Sequence, residues 1–351
     1  MSTRTLAADP SPKPGLPAGT RILLTFGAVG LLHLAAAVLL ATSFVEGATP
    51  LALSLVAAAY LAGIKHSYDW DHIAAIDNST RRFVAQGKSP VSVGFAFSLG
   101  HSTVVTLTGL LVVAGAGFAG GLLREGAVEN TILGMVGSAV SGLFLLLMGL
   151  FNATAFLQTG RLYRRVRQGA PVELEELEAK GLVARLLNKP LAGIRSPRHI
   201  YVIGFLFGLG FDTATTIALL LLTASASLAG VPALALMSLP LCFTAAMTLC
   251  DTGNGLAVLR MYRAALTDPA RKIGFNMTIT GVSALSALFI SVITLGSLGH
   301  EILGLDDPVT SWLGNVDLAD AGLLLVAGLL VIWGAAAACW WRRHPRPART
   351  R

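Results

Sequence analysis

Residues 65–73, KHSYDWDHI, place two histidines and two aspartates in a stretch that is otherwise apolar from Leu51 to Ile76. Carboxylate and imidazole are costly in hydrocarbon, and ionisable residues inside a membrane span mark ion paths, proton relays or ligand sites. Imidazole nitrogen with carboxylate oxygen suits a borderline divalent transition metal and needs no thiolate. On a regular helix His66, Asp69 and His72 fall within an arc of about 120°, while Asp71 points about 140° away from His66. Asp71 therefore needs either local unwinding or a different partner, and discontinuous helices around a midplane site are common in transporters. Polar groups in bundles also serve simply as interhelical hydrogen bonds. Four ionisable side chains between residues 66 and 72 favour a site over that reading.

Other ionisable groups stand alone in apolar sequence. His101 lies in FSLGHSTVV, where Ser98, Gly100, Ser102 and Thr103 suit a close helix–helix contact. It reads either as a satisfied packing histidine or as a further ligand, or orienter, of the 66–72 cluster. Asp212 in GLGFDTATT and Asp251 in MTLCDTGNG are single carboxylates among small residues, and Pro240, Gly253 and Gly255 point to a kinked or partly unwound helix around Asp251. Lys65, Ser102, Thr213 and Asn254 flank these groups and complete a candidate transport path. Cys250 reads as a packing thiol and His33 as structural. GFAFSLGHSTVVT (94–106) and GFLFGLGFDTATT (204–216) match without a gap at Gly, Phe, Phe, Leu, Gly and two threonines. They read either as a parallel repeat or as shared small-residue helix packing.

These residues have to be positioned by membrane helices. The chain has 351 residues, 54% apolar and 13% charged, with its apolar residues in runs long enough to cross a bilayer. The pattern predicts an all-α polytopic membrane protein with eight transmembrane helices at 22–44, 51–77, 91–115, 131–157, 199–224, 233–259, 273–298 and 320–341. Lys and Arg crowd the segments 1–21, 78–90, 158–198, 260–272 and 342–351, and Arg124 is the lone basic residue in the alternate loops. By the positive-inside rule both termini are cytoplasmic. The layout is then a cytoplasmic tail (1–21), spans 1–4 (22–157), a basic cytoplasmic loop (158–198), spans 5–8 (199–341) and a basic cytoplasmic tail (342–351). The GAPVELEELEAKGLVARLL stretch of that loop suits a short amphipathic helix. The net charge of +7 is accounted for by anionic inner-leaflet lipid, with no nucleic-acid partner implied. The three cysteines, all inside predicted spans, argue against a disulfide framework. The polar loops are too short for a soluble catalytic domain, and no nucleotide-binding motif is present.

The residues resemble a known family, the nickel/cobalt transporters of bacteria and fungi, which carry a His-x4-Asp-His signature in the second of eight spans. That signature corresponds to His66, Asp71 and His72; FSLGHSTVV, LGFDTAT and MTLCDTGN are similar to the family's motifs in spans 3, 5 and 6. Lys65 stands where the family has Arg, Ser67 and Trp70 where it has alanine, Thr216 where it usually has Glu and Asn254 where it usually has Asp. The resemblance implies a cell-membrane permease, not an enzyme, that imports Ni2+ and/or Co2+ as substrate and holds no resident cofactor. His66, Asp71 and His72 would bind the ion, Asp69 and His101 would lie in or just behind the shell, and Asp212 and Asp251 would add negative charge. Which of Asp69 and Asp71 ligates is left open, as are the coupling ion and the oligomeric state. The alternatives are a metal exporter of the same superfamily, for which a His-rich cytoplasmic loop is wanting, and an intramembrane metal-dependent hydrolase, for which no HExxH motif or nucleophile–base pair is present.

Overall fold

The computed structural model describes residues 16–44, 51–115, 127–167, 194, 196–210, 214–264, 269–304, 307–316, 327 and 331. Every element among them is helical. Helix α1 spans Ala18–Ala41 and runs into a 3-10 turn, Thr42–Phe44; α2 is Leu53–Ser67, α3 Trp70–Ala85 and α4 Val93–Val113. Helix α5 is Val128–Arg167, α6 Pro197–Gly208, α7 Ala214–Leu228, α8 Ala233–Leu236, α9 Ser238–Ala264, α10 Pro269–Leu303 and α11 Pro308–Gly314.

Among the described residues, five helical segments are long and apolar enough to cross a membrane: Ala18–Phe44, Val93–Val113, Thr131–Arg161, Ala233–Arg260 and Thr280–Leu303. Their outer faces carry large exposed apolar side chains: Leu23 on α1 is 73% exposed and Leu285 on α10 is 72% exposed. Such surfaces suit lipid rather than water. The predicted second and fifth spans are each two shorter helices, α2 with α3 and α6 with α7. The predicted eighth span, 320–341, lies outside the described residues except for 327 and 331, and so do the 168–193 part of the basic loop and Cys339.

The second span also runs further than its hydropathy indicates. Helix α3 continues to Ala85, and Arg81 and Arg82, which read as loop charges in sequence, are buried. Asp77 accepts from Arg81 Nε through both carboxylate oxygens at 2.9 Å, and the Arg82 guanidinium stands 5.1 Å above the Phe151 ring. Neutralising the charge and stacking the planar cation let both arginines leave water. In the sixth span the kink falls at Met237, between α8 and α9 and just ahead of Pro240; α9 then passes Gly253 and Gly255 as continuous helix. Proline at that point disrupts the turn before it, and the glycines alone do not unwind a packed helix.

Helix α9 is central, packing on α1, α2, α3 and α4; α4 packs in turn on α6, and α5 on α10. Small residues bring these backbones together. A Cβ on Gly94 of α4 would overlap the Asp251 carbonyl of α9, and one on Gly204 of α6 would overlap the Phe97 carbonyl of α4. Gly204 meets Phe97 and Gly208 meets His101, so α4 and α6 run parallel, as the two similar segments they carry imply. Among the apolar clusters that result, two are large. One gathers Ile76, Phe83, Phe97, Phe144, Met148 and Phe207, and the other Leu51, Val105, Leu219, Phe243 and Met247. His66 and His72 of the broken second span lie between these two, against Phe243 and Phe97.

Candidate metal centre

The break in the second span involves two residues. Tyr68 N–H and Asp69 N–H donate to the carbonyls of Lys65 and His66 at 3.0 Å, closing the last turn of α2 tightly. Asp69 is then extended (φ −61°, ψ 139°), and its carbonyl accepts from Ile73 N–H at 3.1 Å to start α3. Aspartate is a favoured residue type at this cap position. Its carboxylate, however, makes no cap bond and lies 2.8 Å from His66 Nδ1 instead. The first-turn acid Asp71 takes over locally, accepting from the His72 N–H at 2.8 Å. A carboxylate there satisfies a free helix-end amide and offsets the positive end of the helix dipole.

The break turns His66 at the end of α2 and His72 at the start of α3 toward each other, and α4 brings His101 between them. All three are buried, and one ligand nitrogen from each lies within 4.8 Å of the others. The ring centroids are 4.6–4.7 Å apart. His66 Nδ1 faces a carboxylate, which only accepts, so Nδ1 donates and Nε2 of the neutral ring keeps its lone pair. That Nε2 is 2.8 Å from His101 Nε2, so His101 supplies the shared hydrogen. An ion held by both nitrogens would take the place of that hydrogen, with the His101 proton moving to the ring's Nδ1. Imidazoles on one ion at ordinary metal–nitrogen distances of ~2.0–2.1 Å put their nitrogens about 3 Å apart. The His66–His101 pair already has that spacing, and the His72 nitrogen would close in from within 4.8 Å. Phe97 packs edge-on to His72, and Phe243 lies 5.4 Å from His66, holding the rings in apolar walls.

Of the other sequence-derived site residues, Asp251 is fully buried with Oδ2 3.6 Å from His72 Nδ1. Asp71 is not part of the three-residue ligand group, its Oδ1 being taken by the His72 amide. Ser102, buried beside His101, donates to the sulfur of Met247 at 3.4 Å. Asn254 is half-buried on α9, and Lys65 is exposed in the last turn of α2. Thr216 is buried on α7. Asp212 and Thr213 lie outside the described residues. His33 sits away from the cluster: Nδ1 donates to the Val29 carbonyl at 2.9 Å and Nε2 meets the Tyr60 hydroxyl at 3.1 Å. Cys250 is half-buried and Cys242 buried, and neither joins the histidine group.

The sequence matches the model of a family described as high-affinity nickel-transport protein, NicO, over residues 52–338. The chain belongs to the NicO family. Its NicO relatives include the nickel transporter NicT of Mycobacterium tuberculosis, 37% identical over 94% of this chain and 93% of the relative. The high-affinity nickel-transport protein NixA of Helicobacter pylori strain J99 is 40% identical over 78% of this chain and 84% of its own. The cobalt transport protein NhlF of Rhodococcus rhodochrous is 40% identical over 68% and 69%. No solved structure matches. A NicO chain of apolar helices is a multi-pass membrane protein, in line with the composition.

Sequence reasoning missed the part of α3 that follows Asp77 in this NicO protein, and the partners of Asp77 itself. Asp77 accepts from Ser283 of α10, and Asn78 accepts from Asn152 of α5, all of them buried. These side chains pin α3, and His72 with it, to the two helices behind it. The signal was present: Asp77 ends the predicted second span, and Asn78, Ser79 and Thr80 follow it as consecutive polar residues that read as a loop until the packing is seen.

Proposed function

We propose that this protein is a secondary permease importing Ni2+ and/or Co2+ across the cell membrane, with both termini cytoplasmic and no enzymatic activity. The observation that carries this reading is the convergence of His66, His72 and His101 inside a helical membrane bundle, where imidazole is otherwise costly. The names of the relatives, nickel and cobalt transporters, support the same substrates. The ion sheds part of its water and binds the three histidine nitrogens. Asp69 orients His66, Asp71 compensates the start of α3, and Asp251 and Asp212 lend negative charge along the path. Ser102 and Asn254 flank the same route. An inside-negative potential of about 100 mV contributes ~2.3 kcal/mol per charge, hence ~4.6 kcal/mol for a dication. That sustains roughly 2,000-fold accumulation, so potential alone is enough for concentrative uptake and proton coupling is not required.

The test is uptake of radiolabelled Ni2+ and Co2+ into proteoliposomes under an inside-negative potential. Wild type should accumulate the ion, and His66→Ala, His72→Ala and His101→Ala should each fall to the protein-free background at equal protein content. Uptake unchanged in all three variants would reduce the cluster to packing.

A further inference from the structure

Two carboxylates stand behind the histidine cluster, and they do so unequally. Asp69 already holds His66 Nδ1 at 2.8 Å. Asp251 of α9 is fully buried, neither of its oxygens has a hydrogen-bond partner, and Oδ2 is 3.6 Å from His72 Nδ1. The Ser98 hydroxyl of α4 lies beside it outside hydrogen-bond geometry. A buried carboxylate with no donor is costly to maintain, so its position calls for a partner that arrives during function. Both ring nitrogens of His72 are likewise buried and unbonded. The α4–α9 contact fixes this arrangement, because Gly94 admits the Asp251 backbone where any side chain would exclude it.

We propose that Asp251 is a positioning residue for His72. It accepts the His72 Nδ1–H as the ion enters, fixes Nε2 as the nitrogen that binds metal, and so repeats from α9 what Asp69 does for His66. This deepens the proposed function and rests on the histidine cluster being the ion site. Carboxylates behind ligand histidines set tautomer and ring orientation, and losing one typically weakens metal binding 10- to 100-fold. The 3.6 Å separation is a bond that closes on loading rather than one already made, since functional hydrogen bonds are often long before the ligand is bound.

The experiment uses the full chain purified in detergent, with Ni2+ as the probe. Calorimetry gives affinity, and X-ray absorption counts imidazole ligands through scattering from the ring atoms. Asp251→Asn keeps an acceptor of the same shape but drops the charge; it should retain the wild-type histidine count and bind about tenfold more weakly. Asp251→Leu offers no acceptor; it should bind about 100-fold more weakly with one imidazole lost from the shell. Size-exclusion and melting profiles report whether Asp251→Leu folds, and Asp251→Asn decides the matter if it does not. The assignment is overturned by unchanged affinity in Asp251→Asn, by an unchanged histidine count in folded Asp251→Leu, or by a carboxylate oxygen in the wild-type shell that Asp251→Asn removes. A wild-type ion with no histidine nitrogen around it overturns the site itself, a distinct result.

Discussion

At the residue scale, the distinctive feature is the division of labour among groups of the same chemical type. Of the aspartates near the cluster, Asp69 faces a histidine ring, Asp71 faces a helix-end amide, and Asp251 faces a second ring without yet bonding it. These positions give different expected phenotypes. Asp69→Asn should lower Ni2+ affinity 10- to 100-fold while leaving the protein's melting temperature near wild type, measured by calorimetry and thermal unfolding on one sample. Ordinary affinity with lost stability would instead make Asp69 a cap residue. Protons compete with the ion for the histidine nitrogens, since a ring that binds metal must be neutral there. Lowering the pH should therefore weaken Ni2+ binding progressively, and raising it should restore affinity; equilibrium binding across buffered pH steps checks the sign.

At the element scale, α3 is the part whose role changes most between sequence and structure. Its first turn carries His72, and its second half is pinned by Asp77 to Ser283 and by Asn78 to Asn152. Truncating one amide of a buried pair leaves the other unsatisfied, at a cost of about 1–3 kcal/mol. Asn152→Ala should destabilise the protein by that order. Asn78→Ala with Asn152→Ala together should cost less than the sum of the two, which detergent unfolding of the double-mutant cycle measures. Strict additivity would mean that the two amides do not act as a pair. The α4–α9 contact makes the other element-level prediction. Gly94→Val puts methyl groups against the Asp251 backbone, so α9 must move away from His72. Uptake should fall by at least about tenfold with the protein still inserted, read as transport per correctly folded molecule; full transport by Gly94→Val would show that this spacing is irrelevant.

At the scale of the whole molecule, the three histidines lie where the two larger apolar clusters meet, with Phe97 of one and Phe243 of the other walling them. The broken second span links the two: α2 packs on α9, and α3 on α5 and α10 as well as α9. Each side of the break contributes one histidine, so an ion bound by both would tie the two sides together. A dication crossing such a site carries two charges through the membrane potential. Initial Ni2+ uptake into proteoliposomes should therefore rise steeply as an inside-negative potassium diffusion potential is increased, and collapse when it is dissipated. Uptake indifferent to potential at fixed pH would point to electroneutral exchange instead.

The sequence by itself determined the class of the molecule and the chemistry of its centre. Long apolar runs require helices in lipid because no other local structure satisfies the backbone there, and His66, Asp69, Asp71 and His72 stand out because hydrocarbon tolerates such groups only for a reason. The tertiary structure decided which of them meet. Periodicity assumes an unbroken helix and groups His66, Asp69 and His72 on one face; the extended Asp69 breaks that helix and gives α3 its own direction. His101 read equally well as packing or ligand because its partners lie on other helices, 35 and 29 positions away, a separation that no local pattern reports. The Asp251–His72 approach and the burial of Arg81 and Arg82 likewise depend on backbones brought together by small residues from distant parts of the chain. Local patterns report what each residue needs, and only the packing of the helices decides which neighbour supplies it.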